Sequence, residues 1–151
     1  MNHFDYRDGV LHAEDVSVAE IAQAVGTPFY CYSTATLTRH YKVFADAFAS
    51  VDALVCYAMK ANSNQAVLAT LAGLGAGADV VSEGELRRTM ADGMPRRQSV
   101  FSGVGTTARD IVFALQTEGL GCNSDGAPEV ERVSARALAG GWSASGAGGW
   151  E

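Results

Sequence analysis

One lysine stands out for the chemistry it offers. Lys60 follows the run Leu54-Val55-Cys56-Tyr57-Ala58, an apolar stretch of strand length, and precedes Ala61-Asn62-Ser63-Asn64. In parallel α/β folds the C-terminal strand ends form the active-site face. A lysine there is expected to be partly desolvated, which favours the neutral amine and lets it add to a carbonyl as a Schiff base. By position alone, a solvated lysine that merely ends a strand is the simpler reading. Asn62 and Asn64 lie in the loop that follows, where turn chemistry explains them as well as a site does. Cys31, Cys56 and Cys122 are odd in number and far apart. That spacing offers neither a disulfide framework nor a zinc site, and buried free thiols are expected. His3, His12 and His40 do not cluster, so no metal site is expected.

The elements that would position Lys60 form a regular series. A first helix is predicted from Ser17, its N-cap, with Glu20 three residues on and Val18, Ile21 and Val25 on its apolar side. Gly26 and Pro28 end it. Phe29-Tyr30-Cys31-Tyr32 reads as a short aromatic strand. A second helix is predicted over 36–49, with Leu37, Tyr41, Phe44 and Phe48 on a buried face. Strand 54–58 then opens four strand–helix units. Its helix runs over 65–74, with Val67, Leu71 and Leu74 on one face. Strand 78–81 leads to a helix capped by Ser82 with Glu85 as partner, carrying Leu86 and Met90 and stopping at Gly93. Strand 99–102 leads to a helix capped by Thr107, with Ile111, Val112 and Leu115 inward. A weak strand over 120–122 leads to a last helix with Pro128 in its first turn and Val130, Val133 and Ala137 inward.

Strands alternating with helices imply a parallel sheet with right-handed crossovers, and apolar strands imply that both sheet faces are covered. An open doubly wound sheet and a (β/α)8 barrel both satisfy the pattern. The 151 residues hold 48% apolar and 19% charged side chains at a net charge of −6. That balance offers no basic surface to nucleic acid or anionic lipid. The N-terminus does not read as a signal peptide, and no apolar run reaches the ~18 residues of a membrane span. A reducing cytoplasm is the expected location. From Gly140 the chain is rich in Gly, Ala and Ser. The stretch 140–151 is expected to be disordered and foreign to the fold.

Tyr57-Ala58-Met59-Lys60-Ala61-Asn62 resembles the pyridoxal-phosphate lysine motif of the fold-type III decarboxylases acting on ornithine, arginine and diaminopimelate. Three further segments keep order with that family. Pro28-Phe29-Tyr30-Cys31-Tyr32 resembles its lead-in to the barrel. Gly75-Ala76-Gly77-Ala78-Asp79-Val80-Val81-Ser82-Glu83-Gly84-Glu85-Leu86 resembles its second strand and helix start. Phe101-Ser102-Gly103-Val104-Gly105 resembles its third strand in the form typical of diaminopimelate decarboxylases. The resemblance spans residues 10 to 138.

The resemblance implies an alanine-racemase-like (β/α)8 barrel followed by a β domain, which favours barrel over open sheet. It divides the chain into a lead-in over 1–52, a partial barrel of four units over 53–139, and the tail. It implies pyridoxal 5′-phosphate as cofactor, held by Lys60 as catalytic lysine, with Asp79 as the acid near the cofactor. Ser82 and Glu85 are explained by capping alone. The implied substrate is the small amino acid diaminopimelate, decarboxylated to lysine, by an enzyme that dimerises. Ornithine or arginine decarboxylation, and a non-catalytic chain that pairs with a full-length relative, are the alternatives. Thr106 stands where the family usually has lysine, and 122–127 match the family's fourth strand poorly. A typical barrel needs about 250 residues and places its phosphate site after strands 7 and 8. The four-unit chain is therefore expected to be inactive by itself, and to associate through open strand edges.

Overall fold

The computed structural model describes residues 2–102, 107–117, 121–123 and 127–140. The tail beyond Gly140, Thr106 and residues 124–126 of the weak 122–127 match lie outside the described residues. The chain divides into two compact units, Met1–Ala53 and Leu54–Glu151. Among the described residues, no helix is long and apolar enough to cross a membrane.

The first unit opens with strands that the sequence reading leaves out. β1 (Phe4–Arg7) and β2 (Val10–Ala13) pair antiparallel, and β3 (Val16–Ser17) adds to β2. Asp8 and Gly9 join β1 to β2 with φ of 51° and 79°. Two successive positive φ angles match the right-handed twist of a tight hairpin, and Asp-Gly tolerates them. Ser17 then caps α1 (Val18–Val25), its hydroxyl accepting the Glu20 N–H at 3.3 Å, and Gly26 ends the helix at φ 82°.

Ser33 caps α2 (Thr34–Ala47) by accepting the Thr36 N–H at 3.0 Å. Glu14, in the β2–β3 turn, reaches the same helix start. Its carboxylate accepts from the Ser33 hydroxyl at 2.7 Å and the Ala35 N–H at 2.8 Å. The Ala35 N–H first, and then Ser33, hold the Glu14 carboxyl below its ordinary range. A carboxylate at a helix N-terminus is stabilised by the orphan amides there.

Two expectations fail in this unit. Phe29–Tyr32 forms no strand, because no neighbouring strand pairs with it. Tyr30 and Tyr32 are exposed and stack on each other. The predicted aromatic face of α2 has the right spacing, but Phe44 and Phe48 remain 55% and 43% exposed, their rings in contact with each other at 5.2 Å between centroids.

The second unit holds the predicted series: β4 (Cys56–Ala58), α3 (Gln65–Gly73), β5 (Gly77–Val80), α4 (Glu83–Ala91), β6 (Ser99–Ser102), α5 (Ala108–Gln116), β7 (Gly121–Asn123) and α6 (Ala127–Ala139). All strand pairs are parallel, in the order β4-β5-β6-β7. A doubly wound sheet reverses its strand order at a switch point, whereas a barrel adds strands in sequence. Sequential order makes this a piece of barrel wall.

The two sheet faces differ. Ala78, Val80, Ser99 and Phe101 are buried, and with Leu68, Leu71, Leu86, Ile111, Ala114 and Ala137 they form the core on the helix side. Cys56, Ala58, Asp79, Val100 and Ser102 alternate with them and are half-buried. In α6, Ala137 lies inward as predicted, but Val130 is exposed, at the helix end outside the packed stripe.

A polar clamp joins α4 to α5. The Glu83 carboxylate accepts from Arg87 one turn on and from Arg109 of α5, both nearer than 3.0 Å. The Arg87 guanidinium lies over the Phe113 ring at 4.2 Å. The Glu83 N–H donates to Asp110, whose carboxylate closes a capping box with Thr107. Arg87 first, then Arg109, outweigh burial and hold the Glu83 carboxyl below its ordinary 4.5. A lowered folded value means that the clamp's stabilisation is present above that ordinary value. It is lost as pH falls through the lowered one.

Gly77 marks the tightest strand contact. A Cβ there would meet the Gln98 carbonyl oxygen at 2.2 Å and the Cys56 sulfur at 2.9 Å. The first of these is backbone and cannot rotate away.

Two outcomes follow. Gly77→Ala should destabilise the second unit by about 1–3 kcal/mol in urea unfolding, the usual cost of overpacking; an unchanged midpoint would refute the contact. Glu83→Gln should lower stability at neutral pH, and its difference from the parent chain should shrink once acid protonates Glu83. A difference independent of pH would show that the clamp carries no charge-dependent stability.

Candidate active site

The site begins with how Lys60 is held. It lies in the 3-10 turn Met59–Ala61, directly after β4. Met59 is 1% exposed and anchors the turn in the core. The Tyr57 hydroxyl donates to the Asn62 carbonyl at 3.2 Å, so the ends of the hexapeptide 57–62 are tied together across the lysine. The Asn62 side chain accepts from the Asn64 N–H at 3.0 Å, and Asn64 in turn caps α3 through the Ala66 and Val67 amides. Both asparagines are thus engaged in turn and cap chemistry. Lys60 itself is exposed, not partly desolvated as its strand-end position suggests. The turn buries Met59 and turns its neighbour outward.

Asp79 is the third residue of β5 and pairs with Ala58 on one side and Val100 on the other. It is half-buried. Its Oδ1 is shielded from solvent and has no hydrogen-bond partner among the described residues. Cys56 lies on the same open face, one row earlier, where it pairs with Gly77. Burial first, and then the negative charge of Asp79, push the Cys56 thiol above its ordinary 9.0. The three cysteines are free, and each is half-buried where full burial was expected.

Two polar residues that the sequence reading does not single out lie on the same face, further toward the C-terminal strand ends. The Asn123 amide donates to the Ser102 hydroxyl at 3.0 Å, joining the ends of β6 and β7. Lys60, Asp79, Ser102 and Asn123 therefore come from four successive strands at the C-terminal edge of the sheet. The signal that could have found the last two is their position at strand ends. Ser82 and Glu85 are spent on structure. The Ser82 hydroxyl accepts the Glu85 N–H at 3.2 Å, and the Glu85 carboxylate accepts the Val81 N–H at 2.8 Å.

Comparison with known proteins gives the family. Residues 34–139 match the family described as pyridoxal-dependent decarboxylase, pyridoxal binding domain. Diaminopimelate decarboxylase of Pseudomonas aeruginosa is 48% identical over 134 residues, which cover 88% of this chain and 32% of that protein. A crystal structure from Aquifex aeolicus superposes with a TM-score of 0.87 at 40% identity, over 92% of this chain and 34% of that one. The diaminopimelate decarboxylase of Helicobacter pylori in complex with L-lysine gives a TM-score of 0.78 at 37% identity, over 82% and 31%. The chain thus spans about one third of the length of the curated relatives that it matches. It belongs to the pyridoxal-dependent decarboxylase family, through the pyridoxal-binding domain, and its parallel sheet is part of that family's barrel.

The residues present fit pyridoxal phosphate. The amine of Lys60 is open to an aldehyde, and the orphaned Asp79 oxygen calls for a polar partner on the open face.

The proximity of Cys56 to Asp79 is checkable by alkylation. Asp79→Asn removes the charge that disfavours the thiolate, so Cys56 should react faster with iodoacetamide at a fixed pH below 9. Burial remains the larger cause, so the gain should be modest. An unchanged rate would separate the two groups.

Proposed function

We propose that this chain carries the lysine and one wall of the active site of a pyridoxal-phosphate-dependent diaminopimelate decarboxylase, which converts meso-diaminopimelate to L-lysine and carbon dioxide. In this reading residues 1–52 lead in, 53–139 form the first part of the barrel, and 140–151 lie outside it. Lys60 is the residue that would hold the cofactor, and Asp79 is the acid that faces it. Bound pyridoxal phosphate supplies an electron sink for the carbanion left when a carboxylate departs.

What the chain's own groups contribute follows from their chemistry. The Lys60 amine is exposed on a turn fixed at both ends, so it can meet an aldehyde with little loss of conformational freedom. Asp79 keeps one shielded oxygen without a hydrogen-bond partner among the described residues, a group that a ligand donor would satisfy. The observation that carries the reading is this juxtaposition of a fixed strand-end lysine with an unsatisfied carboxylate on the neighbouring strand.

The names of the relatives favour diaminopimelate over ornithine or arginine. A cytoplasmic location and a homodimeric whole enzyme belong to the same reading. Because the chain spans only about a third of its relatives, turnover is proposed for the site completed by the rest of the barrel, not for these residues alone.

The sequence makes the test clean, because Lys42 and Lys60 are its only lysines. The chain is incubated with pyridoxal phosphate, reduced with borohydride and mapped by mass spectrometry. The pyridoxyl label should fall on Lys60 well ahead of Lys42, and vanish from that peptide in Lys60→Ala. Equal labelling of both lysines would sink the assignment.

A further inference from the structure

We infer that Tyr57 and Arg88 are positioning residues for Lys60, one acting from within its motif and the other from α4. The inference rests on Lys60 being the cofactor lysine. It extends that reading to two residues, one of them on a different strand–helix unit.

Tyr57 works from within the motif. Its ring is half-buried, and its hydroxyl spans the 3-10 turn to the Asn62 carbonyl at 3.2 Å. Phenylalanine would keep the ring and remove the hydroxyl that makes this tie.

Arg88 works from outside. It lies in the last turn of α4, and its guanidinium crosses to the loop between β4 and α3. There it donates to the Ser63 hydroxyl at 3.1 Å and points at the Ser63 carbonyl at 3.5 Å. Ser63 is three residues beyond Lys60 and sits between Asn62 and Asn64, the two residues that shape the turn and start α3. An arginine presents several donors in a rigid fork, which suits simultaneous contact with a hydroxyl and a carbonyl.

The helix that carries Arg88 is itself well anchored. Ser82 caps it, Glu85 fastens its start to Val81, and Glu83 locks it to α5. The Lys60 loop is thus tied to the second strand–helix unit as well as to its own. β5, the strand that leads into α4, carries Asp79. Arg88 therefore couples the loop that bears the amine to the unit that bears the acid.

The Tyr57 tie is one part-buried hydrogen bond, and the Arg88 tie is an exposed bond to the Ser63 hydroxyl with a longer contact to its carbonyl. Losing either should loosen the turn without unfolding the core, because Met59 still anchors it. The effect expected on a process that needs Lys60 in place is about two- to tenfold, the scale of one such bond.

The test uses the full chain and three variants, Tyr57→Phe, Arg88→Ala and Arg88→Lys, with two readouts. The first needs no cofactor. Hydrogen exchange at the amides of residues 60–64 should speed up in Tyr57→Phe and Arg88→Ala, while amides of β5 and α3 stay as protected as in the parent. The second is the rate at which borohydride traps pyridoxal phosphate on Lys60, with Lys42 in the same sample as internal reference. That rate should fall about two- to tenfold in Tyr57→Phe and Arg88→Ala. It should recover in part in Arg88→Lys, which keeps a donor.

If exchange and trapping are both unchanged in Tyr57→Phe and Arg88→Ala, the inference is wrong. If exchange rises throughout the second unit, the two residues serve general stability and the positioning role is also wrong. If Lys60 of the parent chain is not labelled in preference to Lys42, it is the cofactor assignment that fails. In that case the exchange readout still decides whether Tyr57 and Arg88 fix the turn.

Discussion

Parallel pairing puts the C-terminal ends of all four strands on one edge of the sheet, and the rest of the second unit depends on it. Ala58, Asp79 and Val100 form one row of the ladder, and Ser102 and Asn123 lie further toward that edge. A slip of one residue between β4 and β5 would move Asp79 from its half-buried face to the buried helix side. Burying the whole carboxylate there would cost more than leaving one shielded oxygen unpaired, so burial supports the register along with the hydrogen bonds. Gly77 then permits what the register requires, because it lets the Gln98 carbonyl and Cys56 approach where any side chain would collide.

Within that frame, the turn after β4 resolves a conflict. A reactive lysine gains from an apolar setting, yet a cofactor must reach it from solvent. The chain buries the residue before it, Met59, and ties the residues after it through Tyr57, Asn62, Asn64 and Arg88. Position is fixed by neighbours while the amine itself stays open. The expectation of a desolvated lysine misses this because it treats the strand end as a continuation of the strand. The 3-10 turn changes the direction of successive side chains, and nothing in the apolar run announces it.

Much of both units is legible for a local reason. Ser17, Ser82 and Thr107 cap the helices that they were expected to cap, since capping is decided by one side chain and amides two or three residues away. β6 runs over Ser99–Ser102 as read, because an apolar run between turn signals has few other uses. What failed depended on distant partners. Phe29–Tyr32 has strand-forming residues and no strand beside it. Phe44 and Phe48 have helical spacing and pack on each other, yet stay about half exposed. The β1–β2 hairpin was missed although its Asp8-Gly9 turn is a strong local signal, because its strands are short and mostly exposed and offer little apolar alternation. Lys60 and Asp79 were found through a motif. Ser102 and Asn123 came into view only with the register that brings them together.

Electrostatics sets what this wall of the site can do and what must come from elsewhere. The open face presents one amine beside it and one carboxylate on it, with a serine–asparagine pair at the far strands. The described strand residues of that face include no arginine. Arg87 and Arg109 are committed to Glu83 on the helix side, and Arg88 to the lysine loop. A phosphate dianion needs cations or a cluster of convergent N–H groups. A chain of net charge −6 with Asp79 on the same face would repel it without them. In the proposed reading, Lys60 and Asp79 supply the covalent handle and an acid on this wall.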